Sequence, residues 1–254
     1  DSDSPISIAN FNGFGGSTIL YSAHFPRMHP SDFCTKTLDD VGYDWPITYS
    51  ELEPFFELNE KMMGVAGLVG DTANPDYRSL LPPIPLGPMG QVLAEAFNKL
   101  NWHWWPSYAA INTVNYGVRN SCINLGPCNT GCPQGAKGSV DLTYWPAAKM
   151  QGVEIRLRST VLKIFMNENG RAGWVDYIDA DGNLNKIYAK LILLACNGIG
   201  SPRLLLNSYN SIHPHGIGNS SGLLGKNLML HPLAYTEGVF SSNLNSTIGP
   251  HGIC

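Results

Sequence analysis

Apolar and polar positions change rhythm along this chain, and the changes mark out its elements. Residues 6–11 alternate weakly and run into Asn12-Gly13-Phe14-Gly15-Gly16, which predicts a strand, a glycine loop, then a short helix or turn beginning near Ser17. Turn residues dominate 25–46. Ser50-x-x-Glu53 then reads as a capping box opening a helix with Leu52, Phe55, Phe56, Met62 and Met63 apolar and Gly64 at its end. A Pro- and Gly-rich loop fills 64–90, and 91–100 has helical composition. A tryptophan cluster, Trp102-His103-Trp104-Trp105, follows. Residues 141–150 are predicted helical despite Pro146.

At Gly152 the character changes to short strands, predicted at 153–158, 161–166, 172–178 and 184–189, with Asp181-Gly182 as a hairpin turn in a small meander. The continuous apolar run at 191–195 predicts a parallel strand buried on both faces. It leads into Asn197-Gly198-Ile199-Gly200-Ser201-Pro202, where Ser201 is the expected N-cap and Pro202 the first helical residue. Strand, glycine turn and helix start together form the arrangement of dinucleotide-binding folds, whose free N–H groups favour an anion.

Composition narrows the class. With 254 residues, 43% hydrophobic, 14% charged and 45 Gly plus Pro, the chain is globular and rich in loops and short strands. A net charge of -4 with scattered Lys and Arg excludes a nucleic-acid partner. No apolar run reaches the length of a transmembrane segment. The first residues show no targeting signal, so the compartment stays open.

Two local motifs carry chemistry. Gly15-Gly16-Ser17-Thr18 offers bare backbone and two hydroxyls to a pyrophosphate, with an ordinary glycine turn as the alternative. Gly13-x-Gly15 is not a dinucleotide fingerprint, because Thr18 stands where the third glycine belongs. Three of the six cysteines fall in Cys122-x5-Cys128-x3-Cys132-Pro133. Three thiolates followed by proline suit a 3Fe-4S cluster. The turn could equally be kept for its shape, with reduced thiols or one disulfide; zinc lacks a fourth nearby ligand. Cys34, Cys196 and Cys254 are dispersed and expected to be inert, and His24 is expected to be a packing residue. Of the clustered tryptophans, one or two should enter the core, a better expectation than a sugar-stacking platform.

Five ordered segments carry a resemblance: Gly15-Gly16-Ser17-Thr18; Asp44-Trp45-Pro46-Ile47-Thr48-Tyr49; Gly131-Cys132-Pro133-x-Gly135-Ala136-Lys137; Asn197-Gly198-Ile199-Gly200-Ser201-Pro202; and Gly222-Leu223-x-Gly225-Lys226-Asn227. The chain resembles the glucose-methanol-choline (GMC) oxidoreductases, and more narrowly their bacterial sugar dehydrogenase large subunits. The resemblance implies an α/β fold: a partial Rossmann-like FAD-binding domain with an inserted region and the start of an α+β substrate domain. Its boundaries would be FAD domain 1–40, insertion 41–118, FAD domain with cysteine loop, meander and βα turn 119–230, and substrate domain from 231.

It further implies oxidation of a CH–OH group of an alcohol or sugar by hydride transfer to FAD, while a base takes the hydroxyl proton. Gly15, Gly16, Ser17 and Thr18 would line the pyrophosphate. Val161 would meet adenine through its backbone, and Ala195, Asn197, Gly198 and Pro202 would lie beside the adenosine half. Ile19-Leu20-Tyr21-Ser22 stands where some relatives attach FAD to a histidine, so a noncovalent flavin is expected. Cys122, Cys128 and Cys132 would pass electrons through a cluster to a haem or other acceptor subunit. The family's glycine fingerprint and its catalytic histidine are expected outside these residues, leaving no catalytic residue within them and His231 and His251 structural. The contrasting reading is a non-catalytic iron-sulfur electron-transfer or binding module without flavin.

Overall fold

The computed structural model describes residues 10–230, 234, 236–245 and 247–249. His231, His251, Cys254 and most of the strand expected at 6–11 lie outside them. The fold mixes helices with one small antiparallel sheet. It divides into two units, one comprising the described residues up to Glu154 with those from Val239 onward, the other Ile155–Gly238.

The first unit is helical and loop-built. After a 3-10 turn at Gly16–Ile19 and another at Pro30–Phe33 come α1 (Thr35–Asp39), α2 (Tyr49–Met63), α3 (Gly87–Leu100) and α4 (Val140–Met150). α2 begins earlier than the Ser50 box predicts. Extended Thr48 is the N-cap: its Oγ1 accepts from Glu51 N at 3.3 Å, and Glu51 Oε2 accepts from Thr48 N at 2.8 Å. Glu53, freed from capping, lies 3.8 Å from Arg27. The helix does end at Gly64, whose φ of 72° suits the left-handed C-cap.

The core of this unit was not legible as an element. Residues 107–112 are buried and run among three other segments: Ala110 N donates to Ala23 O (2.8 Å), Ala66 N to Ala109 O (2.7 Å) and Gly138 N to Ala110 O (2.7 Å). The small side chains of Ala109 and Ala110 permit this close backbone approach. At Gly138 an added Cβ would stand 2.4 Å from the Met63 carbonyl oxygen, so only glycine fits. Tyr77 and Tyr108 stack at 4.0 Å in the core, and Arg27 lies over Tyr77 at 4.7 Å. Arg27 meets buried Glu60 through two hydrogen bonds of 2.6 and 2.8 Å. Trp102 is exposed while Trp104 and Trp105 are half-buried, so the cluster packs at the rim and only Trp105 touches the core.

The second unit is a meander of β1 (Thr160–Met166), β2 (Ala172–Ile178) and β3 (Leu184–Tyr188), in the order β1-β2-β3, with α5 (Asn197–Asn207) packed against β1. Asn167 and Asp179 close the two hairpins by accepting backbone N–H bonds through Oδ1. Buried Ser208, just past α5, accepts from Ile164 N at 2.9 Å and donates to Leu204 O at 2.6 Å.

Three expectations fail here. Residues 153–158 form no strand, since a turn with Arg158 at φ 50° interrupts the extended run. Residues 191–195 form none either, and Leu191 and Leu193 are 82% and 87% exposed. An all-apolar strand needs strands on both sides to take up its backbone, and none of the described strands lies alongside it. α5 starts at Asn197 rather than Ser201. Asn197 Oδ1 accepts from Ile199 N (2.9 Å) and Gly200 N (3.1 Å), and Ser201 Oγ instead accepts from Cys196 N.

Candidate cofactor and cysteine site

The cysteine loop is hung from the core. Cys122 N donates to buried Asn112 O at 2.7 Å, Cys128 opens a 3-10 turn, and Gly126 and Gly131 take φ of 93° and 111° to reverse the chain. The three cysteines, none in a disulfide, thereby line one hollow with Ile123, Leu125, Pro127, Pro133 and Ala136. It contains about 300 Å³ of empty space, counting the part continuous with solvent. Asn124, at φ 58°, turns its N–H toward Cys122 Sγ at 3.4 Å. Burial pushes the Cys128 thiol up, and negative charge on Cys122 or Cys132 pushes it further; the Lys137 ammonium opposes both.

Among the described residues no group of three or more His, Cys, Asp or Glu is arranged to hold a single metal ion. A 3Fe-4S cluster makes a different demand, because each thiolate binds its own iron and the sulfurs stand apart around the cluster. Cys122, Cys128 and Cys132 are of the donor type such a cluster takes and line one apolar hollow, with an N–H directed at the Cys122 sulfur.

Lys137 joins this loop to the glycine turn. Its side chain is buried, and Nζ donates to the carbonyls of Cys128 (2.6 Å), Ile19 (2.7 Å) and Tyr21 (2.9 Å), which satisfies its three donors. Tyr21 donates its hydroxyl to Gly138 O at 2.5 Å. Its hydroxyl pKa is pushed well up by burial, so it stays neutral.

Gly15, Gly16, Ser17 and Thr18 sit together at the Gly16–Ile19 turn. Gly15 has φ 95°, and an added Cβ would meet Ile19 Cδ1 at 2.8 Å and Asp141 Cβ at 3.1 Å; beside Gly16 the space is open. Thr18 Oγ1 donates to Gly15 O and accepts from Val140 N at 3.0 Å, fastening the turn to the start of α4. Ser17 Oγ donates to Asn10 Oδ1 and accepts from Phe11 N. Buried Asp141 Oδ1 has no hydrogen-bond partner. It borders a second hollow of about 620 Å³, counted in the same way, lined by Ile19, Lys137, Ser139, Leu142 and residues 131–135. Residues 131–134 line both hollows and so form a common wall.

In the second unit, Ala195, Asn197, Gly198 and Pro202 gather around the start of α5, the first three exposed. An added Cβ at Gly198 would meet only Leu228, at 3.9 Å. Val161 lies on β1 opposite Tyr177 and is 42% exposed. Asp141, Asn124 and the role of Lys137 escaped sequence reading. The signal for Lys137 was available, since a lysine inside an otherwise uncharged Gly-Cys-Pro turn is unusual in a chain only 14% charged.

A family model described as GMC oxidoreductase matches residues 83–233, more than half of the chain. The chain belongs to the GMC oxidoreductase family. GMC proteins in general bind FAD. This GMC chain is 40% identical to a 2-methyl-1,2-propanediol dehydrogenase of Mycolicibacterium austroafricanum, over 87% of the chain and 41% of that protein. It is 33% identical to a fructose dehydrogenase large subunit of Gluconobacter japonicus, again over 87% and 41%. With a paromamine 6'-oxidase of Streptomyces fradiae it shares 30% identity over 93% of the chain and 44% of that protein. It thus spans less than half the length of these GMC relatives. No described helix is long and apolar enough to cross a membrane.

Proposed function

We propose that this chain is part of an FAD-dependent oxidoreductase that oxidises a CH–OH group of an alcohol or sugar. The observation that carries the reading is the pair of hollows with one wall, residues 131–134: Cys122, Cys128 and Cys132 line one, and Cys132 and Ile19, the last residue of the glycine turn, line the other. A noncovalent FAD would supply hydride acceptance. Gly15 and Gly16 would let it approach the main chain, Ser17 and Thr18 would hold the turn in shape, and residues around Gly198 and Val161 would take the adenosine half in a Rossmann-like domain. Cys122, Cys128 and Cys132 would hold a 3Fe-4S cluster that relays electrons across the wall toward a haem or other acceptor subunit. A one-electron relay favours a dehydrogenase over an oxidase.

The names of the relatives support a hydroxyl-bearing small substrate, since two are dehydrogenases of a diol and a sugar. The reading places the general base and the glycine fingerprint outside these residues.

The test is to isolate the full gene product containing this chain anaerobically and to measure flavin absorbance, iron and sulfide content, and reduction of an artificial acceptor by a panel of polyols and sugars. The expected result is one flavin, three irons and substrate-dependent reduction, with Cys128→Ser losing iron while keeping flavin. A protein with iron but no flavin is the contrasting electron-transfer module. One with flavin but no iron leaves the oxidoreductase standing and removes the relay.

A further inference from the structure

We propose that Ser139 and Asp141, at the start of α4, bind the hydroxyl groups of a polyol chain in the second hollow. This rests on the oxidoreductase reading above and names the ligand chemistry of the hollow beside the glycine turn. Such an enzyme meets two chains of that kind: the ribityl chain of its flavin and the alcohol or sugar that it oxidises.

Ser139 is 4% exposed and stands at the N-cap of α4, yet its side chain caps nothing. A serine there ordinarily accepts an N–H from the first turn. Here Val140 N is taken by Thr18 Oγ1 at 3.0 Å, and Leu142 N donates to the main-chain oxygen of Ser139 at 3.0 Å. The serine hydroxyl keeps both its donor and its acceptor capacity for something else. Two residues on, Asp141 Oδ1 is buried without a hydrogen-bond partner. Lys137 does not supply one, since its three donors are spent on carbonyls. Gly15 leaves room for the carboxylate, because an added Cβ would stand 3.1 Å from Oδ1.

Both residues line the second hollow, about 620 Å³ counting the part continuous with solvent, together with apolar Ile19, Pro133 and Leu142. That is room for a small organic ligand. An apolar ligand would leave two buried polar groups unmatched, which is costly. A diphosphate would bring negative charge against the Asp141 carboxylate, which repels it. A hydroxyl answers both demands: its O–H donates to Asp141 Oδ1, and its oxygen accepts from the Ser139 hydroxyl. Successive hydroxyls along a chain suit two such groups set two residues apart. The diphosphate expected along the glycine turn then belongs beside Gly16, where an added Cβ would meet nothing within 4 Å.

The experiment uses the full gene product and its Ser139→Ala, Asp141→Ala and Asp141→Asn variants. Flavin-free protein is titrated with FAD and with lumiflavin, which has the ring and no hydroxyl chain, and binding is read by fluorescence quenching. Loaded protein is titrated with sorbitol and read by the change in flavin absorbance. Ser139→Ala and Asp141→Ala should each weaken one of these affinities about tenfold, as expected for a lost hydrogen bond to such a group. Asp141→Asn keeps an accepting oxygen and should restore most of the loss. Weaker FAD binding with lumiflavin unchanged assigns the site to the ribityl chain. Weaker sorbitol binding with FAD unchanged assigns it to the substrate. No change in either, or equal weakening of FAD and lumiflavin with sorbitol unchanged, overturns the proposal. If Asp141→Ala does not fold, Ser139→Ala decides alone by the same outcomes. A native product that binds no flavin overturns the oxidoreductase reading separately. Calorimetry with sorbitol alone on native protein and Ser139→Ala then tests the site: a tenfold difference supports it, and none overturns it.

Discussion

The turn that carries Lys137 and the turn that carries Asn197 are both marked by glycines, and they are built in opposite ways. The first is anchored: Lys137 and Gly138 are buried and donate to carbonyls of Cys128, Ile19, Tyr21 and Ala110. The second is exposed, and its hydrogen bonds stay within residues 196–201. A motif that brings its own ligating side chains is complete once its loop closes. A motif that offers bare backbone at a strand end depends on the strand being paired, and 191–195 has no partner among the described strands.

That contrast can be attacked from either side. The largest effect should come from Glu60→Ala in the first unit, which leaves Arg27 buried without its carboxylate. The expected loss is about 3–5 kcal/mol, read by denaturant unfolding. Hydrogen exchange should rise in α2 and 107–112 and stay unchanged in the meander. Exchange rising equally in β1–β3 would show that the two units unfold together.

Ser208→Ala should cost less, about 1–3 kcal/mol, because the buried Ile164 N–H loses its acceptor. Its exchange signature should be confined to β1 and α5. Leu193→Ser sits at the small end, within roughly 0.5 kcal/mol, as befits an exposed site. A thermal shift of several degrees on that substitution would mean that 191–195 is packed in solution, which restores the buried strand that the apolar pattern predicts.

Three of the meander's four expected strands were legible almost to the residue, because β-alternation and Asx-type turns are local signals; the fourth, 153–158, was not. So was the end of α2 at Gly64. Its start was misplaced because Thr48-x-x-Glu51 and Ser50-x-x-Glu53 are equally good boxes on paper; Glu53 turns toward Arg27 instead. The 107–112 segment was invisible for the opposite reason. Its partners are single bridges to His24, Ala66 and Lys137, and no periodicity announces a bridge. At the candidate site the cysteines were readable as a group from spacing alone. Asp141 was not, because its place beside Gly15 comes from α4 docking through Thr18.

Lys137 has a consequence for the order in which the molecule comes together. Its ammonium closes on Ile19 and Tyr21 across 118 and 116 positions, and Tyr21 reaches Gly138 across 117. At about 5–20 residues per second of ribosomal synthesis, the 118-residue gap alone corresponds to roughly 6–24 s. The glycine turn is made before Lys137 and waits without its cage, so it becomes native only after the later segment has emerged. Chaperone dependence should therefore track synthesis of the Cys132–Gly138 stretch.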